Sequence, residues 1–380
     1  MAIADPAAVE DPSGVQGGDT TALPEDTIDL SACSNRLGPP PHAVKTLIDF
    51  LSEHPKRLVH PPFESENPDL FCAHKRYLAA FADYLRRRFS SPADIRVEDM
   101  VAGRGVTEHL YVLARLLHHE PVAVITPEYT GTLIQFGYAD FLGPEPGVMD
   151  TAERRLHRIR RAATSGHYRY VITSNPNNPC GHFVEPEALL EVCERAPQVT
   201  LIIDEEYGAY QGDRDVSLVG AGCENLVVLQ SSGKPYGITG GSRAGVLWTR
   251  HEPLRAAVAA QIPTWPLSLP EIVLACAALE GDAWLLAQMA RARADAQILQ
   301  AMLAERFGPL AIAPGAAIHY RLLIHEDPLD LHAHLLGHGI NTRPFTSGPG
   351  RVGGIRISTP YSSAEFDQLY AALREWEGKP

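Results

Sequence analysis

Between about residue 99 and residue 249 the sequence repeats one pattern, in which a short apolar, β-branched run precedes a segment of helical character. Runs that are apolar at every position are typical of strands buried on both faces, and the intervening helices supply the cover. The pattern therefore predicts an α/β fold with a mostly parallel sheet covered by helices. The runs read VAVITP, RYVITSNP, VTLIIDEEY, NLVVLQSS and AGVLWT.

After Pro266 the pattern changes. Residues 270–307 are rich in alanine and helical in spacing, long enough for a helix pair or one long helix, and the remainder alternates strands with helices. We expect a smaller α+β domain there, completed by residues near the N-terminus. The predicted division is a flexible tail over 1–28, a small domain over 29–65 and 268–380, and a large domain over 66–267.

Composition and charge exclude several classes of protein. The net charge of −13 argues against general nucleic-acid binding. The sequence has no apolar run near the length of a membrane span and no signal-peptide pattern at its start, so we expect no membrane association and a cytoplasmic protein. The cysteines are scattered without a CxxC pair, which predicts neither a disulfide framework nor a metal site.

Lys234 lies between two of the apolar runs, just before a glycine-rich turn and Arg243. Burying a lysine ammonium group between strands costs free energy. The flexible lysine stem and a pKa that responds to burial suit the side chain to Schiff-base chemistry. A lysine on a surface loop is the plainer alternative.

Polar and glycine-containing segments follow other runs, at the edge where a parallel sheet binds its ligands. Residues 103–107, GRGVT, open a helix. Either the N–H groups at its N-terminus bind phosphate, or the segment is an ordinary strand-to-helix turn capped by Thr107. Tyr129 is either an aromatic platform for a planar ligand or a partly buried tyrosine. Asn178, between prolines, either donates a hydrogen bond to a ligand or only forms a turn.

Charged residues in apolar surroundings also need partners. Asp204 ends a buried strand, where a carboxylate is costly unless it has a positively charged partner. A protonated ring nitrogen of a ligand is one such partner. Tyr207 follows three residues later and is near enough to contact the same ligand. An exposed acidic loop is the alternative. Arg343 and Arg356 suit either a clamp on an anionic substrate group or a structural salt bridge.

Taken in order, these segments resemble the aminotransferases of pyridoxal-phosphate fold type I, and among them the histidinol-phosphate aminotransferase-like branch. The resemblance covers roughly residues 28–375. It implies pyridoxal 5′-phosphate as the cofactor, amino acids and 2-keto acids as substrates, and a homodimer with active sites at the subunit interface. The segments are GRGVTE, PEY, NPNNPCG, DEEY, SSGK, SRAG, GINTRP and GIRIS.

The resemblance also implies residue roles. Lys234 forms the Schiff base and moves a proton, and Asp204 keeps the ring nitrogen protonated. Arg356 binds the substrate α-carboxylate, and Arg343 occupies the position that meets a distal phosphate in histidinol-phosphate enzymes. The implied cofactor-binding set is Gly105, Val106, Thr107, Tyr129, Asn178, Asp204, Tyr207, Ser231, Lys234 and Arg243, and the implied substrate-binding set is Asn35, Arg343 and Arg356.

Several positions depart from the family pattern. Gly233 replaces the usual serine before the lysine, and the spacing to Arg243 is one residue longer, with Gly240 and Gly241 as the insertion. His60 stands where the family has a tyrosine that reaches the neighbouring subunit's cofactor. These departures argue against histidinol phosphate as the substrate and fit a divergent member that acts on another compound, which we expect to be an amino acid.

Some relatives in specialised, antibiotic metabolism act on guanidino amino acids. A cationic side chain of that kind needs an acidic pocket, for which Glu128, Asp140, Glu205 and the acidic tail are the candidates. Histidinol-phosphate aminotransfer itself, another pyridoxal-phosphate reaction (decarboxylation, cyclisation or oxidation) and a cofactor-binding regulator are the alternatives. The regulator is disfavoured because only a short acidic tail precedes the fold.

Overall fold

The computed structural model describes residues 17–59, 73–89, 94–145, 148–211, 216–315, 318–348 and 350–378. His60, the predicted loop over 60–70 and the first sixteen residues of the predicted tail lie outside these ranges. Residues 17–28 lie inside them, and Gly18 donates its backbone N–H to Ser31 Oγ at 2.8 Å.

A seven-stranded sheet forms the centre of the molecule, in the order β2-β8-β7-β6-β5-β3-β4. The five strands from β4 to β7 in this order are mutually parallel, while β8 runs antiparallel to both of its neighbours, β7 and β2. The sheet is mostly parallel, as the sequence pattern predicts. The strands are β2 Met100–Gly103, β3 Val122–Ile125, β4 Asp140–Leu142, β5 Tyr170–Ser174, β6 Thr200–Asp204, β7 Leu226–Ser231 and β8 Gly245–Trp248.

Side chains that alternate along each strand enter two different hydrophobic cores. On β3, for example, Val122 and Val124 pack with one core, whereas Ala123 and Ile125 pack with the other. Helices cover both faces, so the runs are apolar throughout. These helices are α2 Ala73–Arg88, α3 Gly105–Leu116, α4 Thr130–Gln135, α5 Ala152–Thr164, α6 Pro186–Arg195 and α8 Glu252–Gln261.

The segment after residue 266 begins with two helices rather than one. Helix α9 (Leu269–Leu279) starts with a capping box between Ser268 and Glu271, and the chain bends by 76° before α10 (Asp282–Phe307). Helix α1 (Pro41–Glu53) packs against α9. Of the described helices, none alone has both the length and the hydropathy of a membrane span; α9 and α10 reach them only together, across that bend.

Two small sheets complete the fold, a three-stranded antiparallel one in the order β11-β12-β9 and the parallel pair β1-β10. Their strands pack with α10, α11 and α12 around a third hydrophobic core. The predicted domain boundaries stay a prediction. The elements are β1 Ile28–Asp29, β9 Tyr320–Ile324, α11 Pro328–Gly337, β10 Ile340–Asn341, β11 Arg343–Phe345, β12 Gly354–Ser358 and α12 Ser363–Glu375.

Candidate active site

A cavity of about 410 Å³ opens where β5, β6 and β7 end and where α3 begins. The small antiparallel sheet closes it from the other side through β11 and β12. This is the edge at which open α/β sheets bind ligands. The cavity brings together all but one of the predicted site residues: Gly105, Val106, Thr107, Tyr129, Asn178, Asp204, Tyr207, Ser231, Lys234, Arg243, Arg343 and Arg356.

Lys234 lies on the short helix α7 (Gly233–Tyr236), which directly follows β7. Its side chain is half-buried rather than enclosed between strands, and Nζ lies 3.5 Å from Ser34 Oγ. Ser34 Oγ in turn lies 3.3 Å from the hydroxyl of Thr239. The amine therefore faces the cavity beside two neutral hydroxyl groups.

Asn35 is the predicted site residue that does not line this cavity. It is buried, and its Nδ2 donates to the carbonyl of Pro235 at 2.9 Å while its backbone N–H donates to the carbonyl of Lys234 at 2.9 Å. Asn35 Oδ1 accepts from the backbone N–H of Leu37. Its contacts thus hold the backbone that carries Lys234.

Asp204 ends β6, and its carboxylate is buried at the cavity wall. Oδ1 accepts the backbone N–H of Glu206 at 2.8 Å, and no cation among the described residues forms an ion pair with Asp204. Burial, reinforced by the negative charge of Glu206, raises the pKa of Asp204 well above its usual range. A buried carboxylate of this kind is suited to a ligand that brings a positive charge.

The N-terminus of α3 lies at the wall of the same cavity. Gly105 has φ +72°, a left-handed conformation that favours glycine, and a Cβ on Gly245 would lie 2.4 Å from the Cα of Gly105. The close packing of these two glycines brings the backbone of Val106 and Thr107 to the cavity wall. Such a helix N-terminus is suited to an anion. Arg243, which is exposed, also lines the cavity.

Tyr129 lies over Gly131 at the start of α4. A Cβ on Gly131 would lie 2.4 Å from Tyr129 Cε1, so glycine is what leaves room for the ring. The ring forms part of the cavity wall. On the same wall Tyr207 is buried, which raises the pKa of its phenol well above the usual value and keeps the hydroxyl a hydrogen-bond donor.

Arg343 and Arg356 are directly opposite each other on the antiparallel strands β11 and β12, and both are buried at the cavity wall. Arg356 donates from Nη1 to Asn178 Oδ1 and from Nη2 to the carbonyl of Ser31, each at 2.7 Å. Its Nε is buried without a hydrogen-bond partner among the described residues. Arg356 forms no salt bridge within those ranges, and its guanidinium lies 5.5 Å from the Tyr320 ring and 5.7 Å from the Phe345 ring. A buried guanidinium without a carboxylate is suited to an anionic ligand.

The three acids named as a pocket for a cationic substrate do not line the cavity. Glu128 is buried against Arg155 at 2.7 Å. Glu205 accepts from Gln230, Ser217 and the backbone of Leu218, and Asp140 accepts from the hydroxyl of Tyr168. That part of the prediction is wrong because each carboxylate already has donors within the fold.

Glu128 links two segments of the site instead. Its carboxylate accepts the backbone N–H of Tyr129 at 2.8 Å, and it accepts both the backbone N–H and the hydroxyl of Ser174. Ser174 Oγ in turn accepts the backbone N–H of Asn178 at 3.1 Å. One buried carboxylate therefore fixes the loops that carry both Tyr129 and Asn178.

The sequence reasoning missed further cavity residues, including Glu206, Thr239, Ser242 and Phe345. Glu206 stands within the DEEY motif, where a second carboxylate two residues after Asp204 was an available signal. Thr239 lies close to Gly233: a Cβ built on Gly233 would be 3.2 Å from Thr239 Oγ1. Position 233 lacks the serine hydroxyl that is usual in the family, but the Thr239 hydroxyl, from the turn that follows, lies beside it.

Comparison with known proteins decides the family. The sequence profile described as "Aminotransferase class I and II" matches residues 25–373. The chain belongs to this family. Its members depend on pyridoxal 5′-phosphate, so the enzyme class, the cofactor and fold type I that the sequence motifs predict are confirmed.

Individual relatives are distant. A histidinol-phosphate aminotransferase from Caldanaerobacter subterraneus subsp. tengcongensis is 25% identical over 300 residues, 77% of this chain and 82% of that one. A threonine-phosphate decarboxylase from Salmonella typhimurium is 25% identical over 370 residues, 92% of this chain and 91% of that one.

The solved structures share the fold at lower identity. A histidinol-phosphate aminotransferase from Sinorhizobium meliloti, in complex with pyridoxal 5′-phosphate, superposes with a TM-score of 0.70 at 20% identity and covers 99% of this chain and 95% of that one. This aminotransferase fold therefore extends over nearly the whole chain.

Proposed function

We propose that this aminotransferase moves an amino group between an amino acid and a 2-keto acid by a ping-pong mechanism, with Lys234 as the catalytic residue. The observation that carries the proposal is that the Lys234 amine faces the same cavity as the buried Asp204 carboxylate and the buried Arg356 guanidinium. Among the described residues, Asp204 has no cationic partner and Arg356 Nε has no hydrogen-bond acceptor. The three groups suit, in that order, the cofactor aldehyde, the protonated ring nitrogen and the substrate carboxylate.

Bound pyridoxal 5′-phosphate supplies an aldehyde and a ring that withdraws electrons from the substrate Cα. Lys234 would hold the cofactor covalently through its amine, and Nζ would be the group that takes and returns the substrate Cα proton. Asp204 accepts a hydrogen bond from the ring nitrogen and holds a proton there, because a buried carboxylate is stabilised by an adjacent positive charge.

The remaining cofactor contacts come from two sides of the cavity. Tyr129 packs on the ring, while Asn178 and Tyr207 donate hydrogen bonds to the ring hydroxyl oxygen. The phosphate is placed at the start of α3, whose N–H groups and dipole favour an anion. Its proposed partners are Gly105, Val106, Thr107, Ser231 and Arg243.

For the substrate we propose an amino acid with a second anionic group. Arg356 binds the α-carboxylate, since its planar guanidinium suits a carboxylate and no residue that the structure describes accepts from its Nε. Arg343, opposite it on β11, brings a second buried positive charge to the cavity. The names of the two curated relatives both contain a phosphorylated substrate, which supports a distal anion at Arg343.

A panel of amino donors tests this proposal. Each donor is added to the cofactor-loaded protein without an acceptor, and the absorbance of the bound cofactor is followed while the 2-keto acid is measured. We expect donors with a distal phosphate or carboxylate to give the pyridoxamine form and one equivalent of keto acid. Guanidino amino acids belong in the panel as the test of a role in specialised metabolism.

Decarboxylation is the second candidate, because a threonine-phosphate decarboxylase aligns with 92% of the chain. The same panel separates the two reactions. Carbon dioxide released without keto acid would support decarboxylation and contradict aminotransfer.

We also propose that the chain is a cytoplasmic homodimer with active sites at the subunit interface. Apolar side chains on α1 and the turn after it support an interface, since Ile48, Leu58 and Val59 are 56%, 50% and 73% exposed. Light scattering on the purified protein tests the dimer. A monomer at every concentration would contradict it.

A further inference from the structure

Glu206 is a second carboxylate in the cavity, and the proposed chemistry does not use it. It follows β6 by two residues and lines the cavity together with Ser231 and Lys234. Oε1 accepts a hydrogen bond from Ser231 Oγ at 2.7 Å. Oε2 is buried and has no hydrogen-bond partner among the described residues. Burying a polar atom in this way is costly unless a ligand or a proton satisfies it.

The electrostatic surroundings of Glu206 are mixed. Burial raises the pKa of its carboxyl group, while the hydrogen bond from Ser231, the positive charges of Lys234 and Arg243 and the nearby backbone N–H of Lys234 lower it. The balance lies above the usual value. That N–H does not reach hydrogen-bond geometry with Oε2. A group of this kind exchanges its proton in response to a new neighbouring charge. The titratable and charged groups that face it are Tyr77, Asp204, Tyr207, Tyr210, Lys234 and Arg243.

The Ser231 hydroxyl donates only one hydrogen bond, and both the Glu206 carboxylate and a cofactor phosphate could accept it. A carboxylate and a phosphate both only accept, so Glu206 Oε1 and a phosphate oxygen cannot share that proton. Two negative groups at one hydroxyl also repel each other, and the repulsion is strong where water is excluded.

We propose that Glu206 and the cofactor phosphate compete for the Ser231 hydroxyl, so that the phosphate binds together with a proton on Glu206. The inference rests on the phosphate site of the proposed function. The proton comes from solvent and neutralises the carboxylate. The Ser231 O–H then turns from Oε1 to a phosphate oxygen, and the new carboxyl O–H donates to Ser231 Oγ in return. No covalent bond other than O–H forms or breaks.

The pH dependence has a definite sign. Because binding takes up a proton, the affinity for the phosphorylated cofactor falls as pH rises above the pKa of Glu206 in the free protein. For the uptake of one proton, the binding constant falls by at most about tenfold for each pH unit. The fall stops above the pKa that Glu206 has with phosphate bound.

Titration calorimetry of the full-length protein with pyridoxal 5′-phosphate measures the proton directly, when it is run in two buffers of different ionisation enthalpy. Measurements above about pH 7 avoid the titration of the phosphate itself, whose second pKa is about 6. Glu206→Gln keeps the shape but cannot titrate, and Glu206→Ala serves if the first variant folds poorly. Glu187→Gln, an exposed acid on α6, is the matched control.

We expect the wild type and Glu187→Gln to take up more protons than Glu206→Gln, by up to about one per site. With pyridoxal, which has no phosphate, the three proteins should agree. Equal uptake by all three with pyridoxal 5′-phosphate would overturn the proposal, as would a Glu206 effect of the same size with pyridoxal. Failure of every variant to form the lysine-bound cofactor would instead contradict the proposed function.

Discussion

The ion pair between Glu128 and Arg155 gives the sharpest prediction for stability. Both side chains are 1% exposed. Arg155 lies on α5 and donates to Thr173 Oγ1 and to the backbone carbonyls of Ile125 and Pro127 as well as to Glu128. Removing the negative charge with Glu128→Gln leaves the buried guanidinium with only the more distant carboxylate of Asp150, 3.9 Å from Nη1.

The expected magnitude follows from that burial. Breaking a buried pair by neutralising one partner costs about 3–5 kcal/mol of unfolding free energy, whereas an exposed pair contributes about 0–1 kcal/mol. The chain offers an exposed control on the same helix, because Arg160 pairs with Glu191 at 2.6 Å with side chains 45% and 36% exposed, and Glu191 also pairs with the exposed Arg195. Glu191→Gln should therefore cost less than about 1 kcal/mol.

Urea unfolding, followed by circular dichroism with and without pyridoxal 5′-phosphate, measures both effects. Glu128→Gln should also weaken cofactor binding, because its carboxylate fixes the loops of Tyr129 and Asn178. The double variant Glu128→Gln/Arg155→Met should cost less than the two single changes added together, by about 2 kcal/mol.

A cost of Glu128→Gln no larger than that of Glu191→Gln would contradict a buried, energetically important pair between Glu128 and Arg155. Strict additivity in the double variant would also refute it, because the two charges would then not depend on each other.

Three further substitutions test the geometry of the site. Gly131→Ala should displace the Tyr129 ring and weaken cofactor binding without loss of helix content, as measured by fluorescence titration and circular dichroism. Thr239→Val should raise the cofactor dissociation constant by about 10–100-fold if its hydroxyl replaces the missing serine, since one hydrogen bond to a charged group contributes about 1.5–3 kcal/mol; an unchanged constant would remove that role. Asn35→Ala should lower the unfolding free energy by about 1–3 kcal/mol and disturb Lys234, whose backbone it holds.

The sequence predicts the fold and most of the cavity because those features depend on local patterns. Apolar runs alternating with helices specify strands buried on both faces, and residues at the ends of parallel strands meet at one edge of the sheet. Asp204 and Asn178 are found in this way, whereas Ser231 comes from the family resemblance.

What the sequence does not predict depends on contacts between distant segments. The partner of Asn35 is the backbone 200 residues away, and Glu128 is committed to Arg155 across 27 residues. Thr239 lies beside Gly233 through the path of a glycine-rich turn. A residue's type shows that it needs a partner, but only the packed structure shows whether the fold or a ligand supplies it.

Identification of the lysine that carries the cofactor tests the central claim most directly. The protein is loaded with pyridoxal 5′-phosphate, reduced with borohydride and mapped by peptide mass spectrometry. The other lysines are Lys45, Lys56, Lys75 and Lys379. We expect the modification on Lys234 and its loss in Lys234→Ala. A modification on another lysine, or undiminished labelling of Lys234→Ala, would contradict the account.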